Sequence, residues 1–104
     1  MNTVPTTSGI RSFELRRKTD ELVYVFHRVE DGREPSRFVR SDRADLFIQY
    51  DQVLGWVALD PETNEVAGKS WDDDLRHNPD QPAEGDWVSK KGAKSYVYEL
   101  RHLP

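Results

Sequence analysis

The stretch Gly55–Trp71, GWVALDPETNEVAGKSW, constrains the fold of this chain more than any other, because it reads as a β-hairpin. Asp60 can cap a type I turn through its carboxylate, Pro61 carries the φ that the next position requires, and Asn64 tolerates the left-handed backbone that completes the reversal. On the outgoing arm, Trp56 and Ala58 share one face and Val57 and Leu59 the other, so both faces are apolar. A strand of that kind is internal and covered on both sides. The returning arm, Val66–Trp71, mixes apolar residues with Lys69 and Ser70 and reads as half-exposed. An isolated hairpin is marginal in water, so neighbouring strands must exist.

The rest of the chain supplies them. Ser12–Lys18 alternates Phe13 and Leu15 against Glu14 and Arg16, followed by a tight turn at Thr19-Asp20. Glu21–Val29 is dense in β-branched and aromatic residues, with Leu22, Tyr24 and Phe26 on one face. After a loop at Glu30–Pro35, residues 36–52 support two readings. Ser41 could cap a short helix within 41–50, with Asp42 and Asp45 in its first turn. The preferred reading is two short strands, Arg37–Arg40 and Asp45–Tyr50, because Leu46–Tyr50 is β-prone and Gly55 follows quickly. Residues 72–86 form a long acidic loop, after which Trp87 and Val88 anchor the chain to the core. Ser95–His102 alternates Tyr96, Tyr98 and Leu100 against Val97, Glu99 and Arg101 as a last strand. The expected fold is therefore all-β or β-dominated. It is a small curved antiparallel meander sheet or barrel of about seven short strands. An unpaired edge, such as Arg37–Arg40, would allow a weak homodimer in place of a monomer.

Composition sets the limits of function. With 104 residues, 36% hydrophobic and 33% charged, the chain is expected to form a single domain over residues 10–104, preceded by a disordered tail at 1–9. The absence of cysteine removes disulfides, thiol nucleophiles and cysteine-based metal centres. No apolar run reaches membrane-spanning length, so a cytoplasmic protein is the default expectation. The net charge of −4 is uneven: the balance is +1 over residues 1–50 and −5 over residues 51–104.

Candidate sites follow from that unevenness. Asp72, Asp73 and Asp74 with His77 and Asp80 offer oxygen and imidazole ligands, but they lack the alternation and turn glycine of a calcium loop. Trp87, Lys90, Lys91, Lys94, Tyr96 and Tyr98 interleave rings with positive charge, the composition of a single-stranded nucleic-acid platform. Tyr96 and Tyr98 share a face, however, which suits a core as well. Arg37, Arg40 and Arg43 recur every third residue, with Arg33 just before them, a spacing that could clamp phosphates from a helix, yet Asp42 and Asp45 sit among them and can neutralise two of them. No nucleophile elbow or paired metal-binding histidines occur, so no catalytic residue, metal or cofactor is assigned.

The expected function is non-catalytic binding of another macromolecule, foremost a protein with a basic surface, in an adaptor, inhibitor or immunity-type role. Trp71 or Trp87 would anchor the contact, and Asp72–Asp74, Asp80, Glu84 and Asp86 would meet the partner's basic groups. The alternative is a single-stranded nucleic-acid-binding β module using Trp87, Lys90, Lys91 and Lys94 with Arg37 and Arg40. A small metal-dependent hydrolase around His77 is a more distant third.

Overall fold

The alternating pattern closes on itself. In the computed structural model, which describes residues 9–32, 35–71, 81–91 and 93–104, eight antiparallel strands form a closed barrel. They are β1 (Ser12–Arg17), β2 (Val23–Arg28), β3 (Phe38–Arg40), β4 (Phe47–Asp51), β5 (Gly55–Leu59), β6 (Val66–Ser70), β7 (Gly85–Lys91) and β8 (Lys94–His102). Each strand pairs with the next, and β1 pairs with β8 to close the wall.

Side-chain alternation places one face of every strand inside. Phe13, Leu15, Phe26, Phe38, Ile48, Trp56, Trp87, Tyr98 and Leu100 form the buried core. Its rings pack in series: Phe13 stacks on Phe26 with centroids 5.2 Å apart, and Phe38 meets Phe13 edge-on at 5.0 Å. Trp56 follows against Phe38 at 5.8 Å and Tyr50 against Trp56 at 5.5 Å. Full burial of side chains this size stabilises the fold by roughly 1.5–3 kcal/mol each. Both faces of β5 are covered, as its sequence requires, since Trp56 and Val57 are both buried.

The turns form for local reasons. Asp60 Oδ1 accepts the Glu62 N–H at 2.8 Å and the Thr63 N–H at 3.3 Å, and Asn64 adopts a φ of 61°. Asp51 Oδ1 does the same between β4 and β5, accepting the Val53 and Leu54 N–H groups at 2.8 and 2.9 Å, with Gly55 at a φ of 82°.

The two ends of the barrel differ. Residues 29–32, 35–37, 52–54, 71 and 81–84 share one end with residues 9–11 and 103–104, and that end is plugged. Ile10 packs on the core, its N–H donates to Gln81 Oε1 at 2.8 Å, and its carbonyl accepts Arg28 Nε at 2.8 Å. The Arg28 guanidinium also covers the Phe38 ring, 5.4 Å from its centroid. Pro82 is fully buried, and its carbonyl lies 2.7 Å from His102 Nε2. The connections at 18–22, 41–46 and 60–65 meet at the other end together with Ala93, and that end stays open.

The small all-β barrel of about seven short strands holds, with adjustments at particular segments. The strands number eight, because Gly85–Lys91 is a full strand in register with β8 from Gly85 opposite Leu100 to Lys91 opposite Lys94. Its outer residues Asp86 and Lys90 and its inner Ser89 give it little apolar signal, and pairing on both sides supplies what the side chains lack. Of the two readings of residues 36–52, the preferred pair of short strands holds as β3 and β4, with a turn and no helix between them. Arg37–Arg40 is no free edge, since β3 pairs with both β2 and β4. Glu21 lies outside β2, held at a φ of 59° in the preceding turn. Of the expected acidic loop at 72–86, Gly85 and Asp86 belong to β7; residues 72–80, and residues 1–8 of the expected tail, lie outside the described residues.

Candidate functional site at the open barrel mouth

Alternation carried one position past the core turns polar groups into the open end. Arg17 follows Phe13 and Leu15 on the inner face of β1, and Tyr24 lies on β2 opposite Leu15. Arg40 occupies the end of β3, Ser89 follows Trp87 on β7, and Tyr96 precedes Tyr98 on β8. Together they line a cavity of about 370 Å³ whose apolar floor includes Leu15, Phe26, Ile48, Ala58 and Trp87.

The floor depends on one glycine. On β6, Gly68 lies opposite Ser89, and a Cβ there would come within 2.7 Å of Ser89 Oγ and 2.8 Å of Trp87 Nε1. The indole therefore fills the place a side chain would take, and its N–H donates to Ser89 Oγ at 3.1 Å.

The wall over β3, β2, β1 and β8 is cationic and aromatic. The Arg40 guanidinium lies over the Tyr24 ring at 4.2 Å, and Arg17 lies over Tyr96 at 4.8 Å. Between these pairs, Tyr24 and Tyr98 have ring centroids 6.1 Å apart. Each arginine is held from outside by a turn acid. Arg17 donates from Nε and Nη2 to the two Asp20 oxygens at 2.9 and 2.6 Å. Arg40 reaches Asp42 at 2.5 and 3.4 Å in the same forked manner. The arginine side chains are 19% and 17% exposed, their acids 51% and 59%. The charges thus sit asymmetrically, with guanidiniums at the cavity and carboxylates in solvent.

These contacts move the titrations. The Arg17 hydrogen bonds, helped by the Leu22 N–H, hold the Asp20 carboxyl down at about 2, and Asp20 in turn raises Arg17. Burial pushes the Tyr98 phenol up, with the neighbouring Arg17 pulling the other way. At neutral pH the wall presents two fixed positive charges and a protonated Tyr98 phenol.

The residues singled out from the sequence do not gather in one place. Trp71 is 73% exposed at the end of β6 on the outer surface, beside Val66, Val88 and Val97, with Lys69 and Lys90 flanking them. Trp87 is 1% exposed inside the barrel, so it is a floor residue of the cavity and no surface anchor. Lys90 is exposed at the rim of the mouth, and the Lys91 backbone ends β7. Arg37 and Arg40 separate: Arg40 is in the mouth, while Arg37 lies over the Phe47 ring at 4.3 Å and faces Asp31 at 3.7 Å. Asp86 pairs with Lys18 at 2.8 Å, and Glu84 accepts the His102 N–H at 3.0 Å. Asp72, Asp73, Asp74, His77 and Asp80 lie outside the described residues, and among the described ones no three His, Asp or Glu side chains gather to hold a metal. The aromatic platform expected for nucleic acid is turned inward, since Trp87, Tyr96 and Tyr98 all belong to the interior face.

Sequence reasoning missed Arg17, Tyr24 and Ser89 as parts of a site. The signal was available for Arg17, which continues the inward parity of Phe13 and Leu15. Ser12 Oγ and His27 Nδ1 also meet at 2.8 Å, but both are on the outer wall, where nothing encloses a substrate. Among the described residues no helix is long and apolar enough to cross a membrane. Comparison with protein-family models, curated proteins and solved structures gives no match.

Proposed function

We propose that this chain is a non-catalytic binding domain whose site is the open mouth of the barrel and whose ligand is a small molecule. The observation that carries the reading is the contrast between the ends: one is plugged by Ile10 and Pro82, while the other opens on a cavity of about 370 Å³ with an apolar floor and a polar wall. Eight-stranded barrels are just wide enough to hold one small ligand, and barrel mouths are a preferred place for such pockets. Arg17 and Tyr98 are both shifted further from neutrality, which suits hydrogen bonding better than proton transfer. The test is amide chemical-shift mapping with small acids, amines and neutral fragments. Shifts clustered at Ala58, Ser89 and Tyr96, and lost on Ala58→Phe, support the reading. No shift at the mouth with any fragment refutes it.

A second reading keeps the adaptor, inhibitor or immunity-type role, on the strength of Trp71. Its exposed indole, next to Val66, Val88 and Val97, has the make-up of an interface anchor. The flanking Lys69 and Lys90 favour an acidic partner surface there; the basic partner expected from Asp72–Asp74 rests on residues outside the described ones. Loss of a stoichiometric partner on Trp71→Ser, with the fold intact, is the result this reading requires.

A further inference from the structure

We infer that the mouth selects an anion carried on a flat apolar body, an aryl carboxylate, sulfonate or phosphate; this rests on the mouth being a ligand site. Arg17 and Arg40 present positive charge to the cavity from two sides of the Tyr24–Tyr98 pair. Neither guanidinium loses its proton in a protein. Their counter-charges, Asp20 and Asp42, are on the solvent side and more than half exposed, where water weakens them most. An anion in the cavity meets the same guanidiniums from the drier side, with the Ser89 hydroxyl and the phenols as further donors.

The acids that line the opening stand apart from this wall. Asp60 and Glu62 belong to the β5–β6 turn, and Asp60 Oδ1 already accepts two backbone N–H groups of that turn. A cationic ligand is disfavoured for a second reason. The Tyr24 and Tyr96 faces that would form an aromatic cage are already covered by Arg40 and Arg17. Below the charges, Phe26, Ile48, Ala58 and the Trp87 indole offer a floor for a planar ring. The volume is near the low end of the roughly 300–1,000 Å³ usual for small-molecule sites, which fits one or two fused rings.

The experiment compares two fluorescent probes that share one ring system: anilinonaphthalene sulfonate, an anion, and N-phenylnaphthylamine, which is neutral. Both are titrated into the intact chain and into Arg40→Gln, Asp42→Asn and Ala58→Phe. The inference expects the sulfonate to bind more tightly, and Arg40→Gln to weaken it about tenfold while leaving the neutral probe nearly unchanged. Asp42→Asn, an exposed change that spares the core, should strengthen the sulfonate about two- to threefold by freeing Arg40. Ala58→Phe should abolish both. Equal binding of the two probes, insensitive to Arg40 and Asp42 but lost on Ala58→Phe, overturns the anion preference and leaves the mouth as a ligand site. Binding that survives Ala58→Phe, or no binding at all, removes both.

Discussion

Replacing Gly68 with alanine tests the packing on which the barrel floor depends. The new methyl would sit 2.7 Å from Ser89 Oγ, 2.8 Å from Trp87 Nε1 and 3.3 Å from Trp87 Cε2. The serine hydroxyl can rotate away, but the indole is a rigid plane enclosed by the core, so the strain falls on Trp87. Overpacking of a tight core costs about 1–3 kcal/mol. Displacing the indole from Ser89 forfeits a hydrogen bond worth about 1 kcal/mol. Alanine recovers about 0.5–1 kcal/mol of backbone entropy relative to glycine in a strand. The net expectation is a destabilisation of about 2 kcal/mol, a large share of the roughly 5–15 kcal/mol that holds a domain together. Urea unfolding followed by tryptophan fluorescence and circular dichroism measures it, and the melting temperature should fall by about 10 °C. The control is a double-mutant cycle: on a Trp87→Phe background, which removes Nε1 from the methyl's path, the glycine substitution should cost at least about 1 kcal/mol less. A Gly68→Ala chain as stable as the parent, or a cycle with no coupling, would falsify the claim that the indole occupies the space over Gly68.

The remaining predictions concern the turns and the outer surface. Asp20 titrates at about 2 in the folded chain against an ordinary 3.8, so its contribution is present above about pH 4 and lost as pH falls toward 2. Thermal melts of the parent and Asp20→Asn should therefore differ at pH 6 and converge by about pH 2, and a gap that persists in acid would contradict the Arg17 pairing. Asp51 is likewise held low by the Leu54 and Val53 N–H groups, and Asp51→Ala should lower the chemical-denaturation midpoint by leaving those two N–H groups without their acceptor; an unchanged midpoint would refute the cap. Trp71→Phe should leave stability within about 0.5 kcal/mol. The same change should shift tryptophan emission to the blue and remove most acrylamide quenching, because Trp56 and Trp87 are each 1% exposed. Unaltered quenching would mean that Trp71 is covered.

What could be read from the chain was whatever depends on neighbours in sequence. Asp60, Pro61 and Asn64 specify their own reversal, and the alternation of Phe13 with Leu15, of Tyr24 with Phe26, and of Tyr96 with Tyr98 and Leu100 follows from the pleat of single strands. Closure is another matter. Nothing in Ser12–Arg17 or Lys94–His102 alone states that Leu15 lies opposite Leu100; that pairing is settled by the whole circuit. β7 was hidden for the same reason, since Asp86, Ser89 and Lys90 are poor strand signals until β6 and β8 flank them. The mouth was missed because its polar groups alone come from five different strands. Arg40 looked like a surface charge paired with Asp42, which it is, and only the curvature of the wall turns its other side to Tyr24.

The shortness of β3 bears on how the barrel moves. This strand has three residues, joined to β2 through three paired positions and to β4 through only two, Phe38 opposite Ile48 and Val39 opposite Phe47. A closed wall opens most readily where its stitching is thinnest, so amide exchange is expected to be fastest along the β3–β4 seam. Arg40 stands at the end of that seam, tethered to Tyr24 on one side and Asp42 on the other. Arg40 thus joins the thinnest seam of the wall to the lip of the mouth, so a change that loosens the seam is expected to alter the entrance as well.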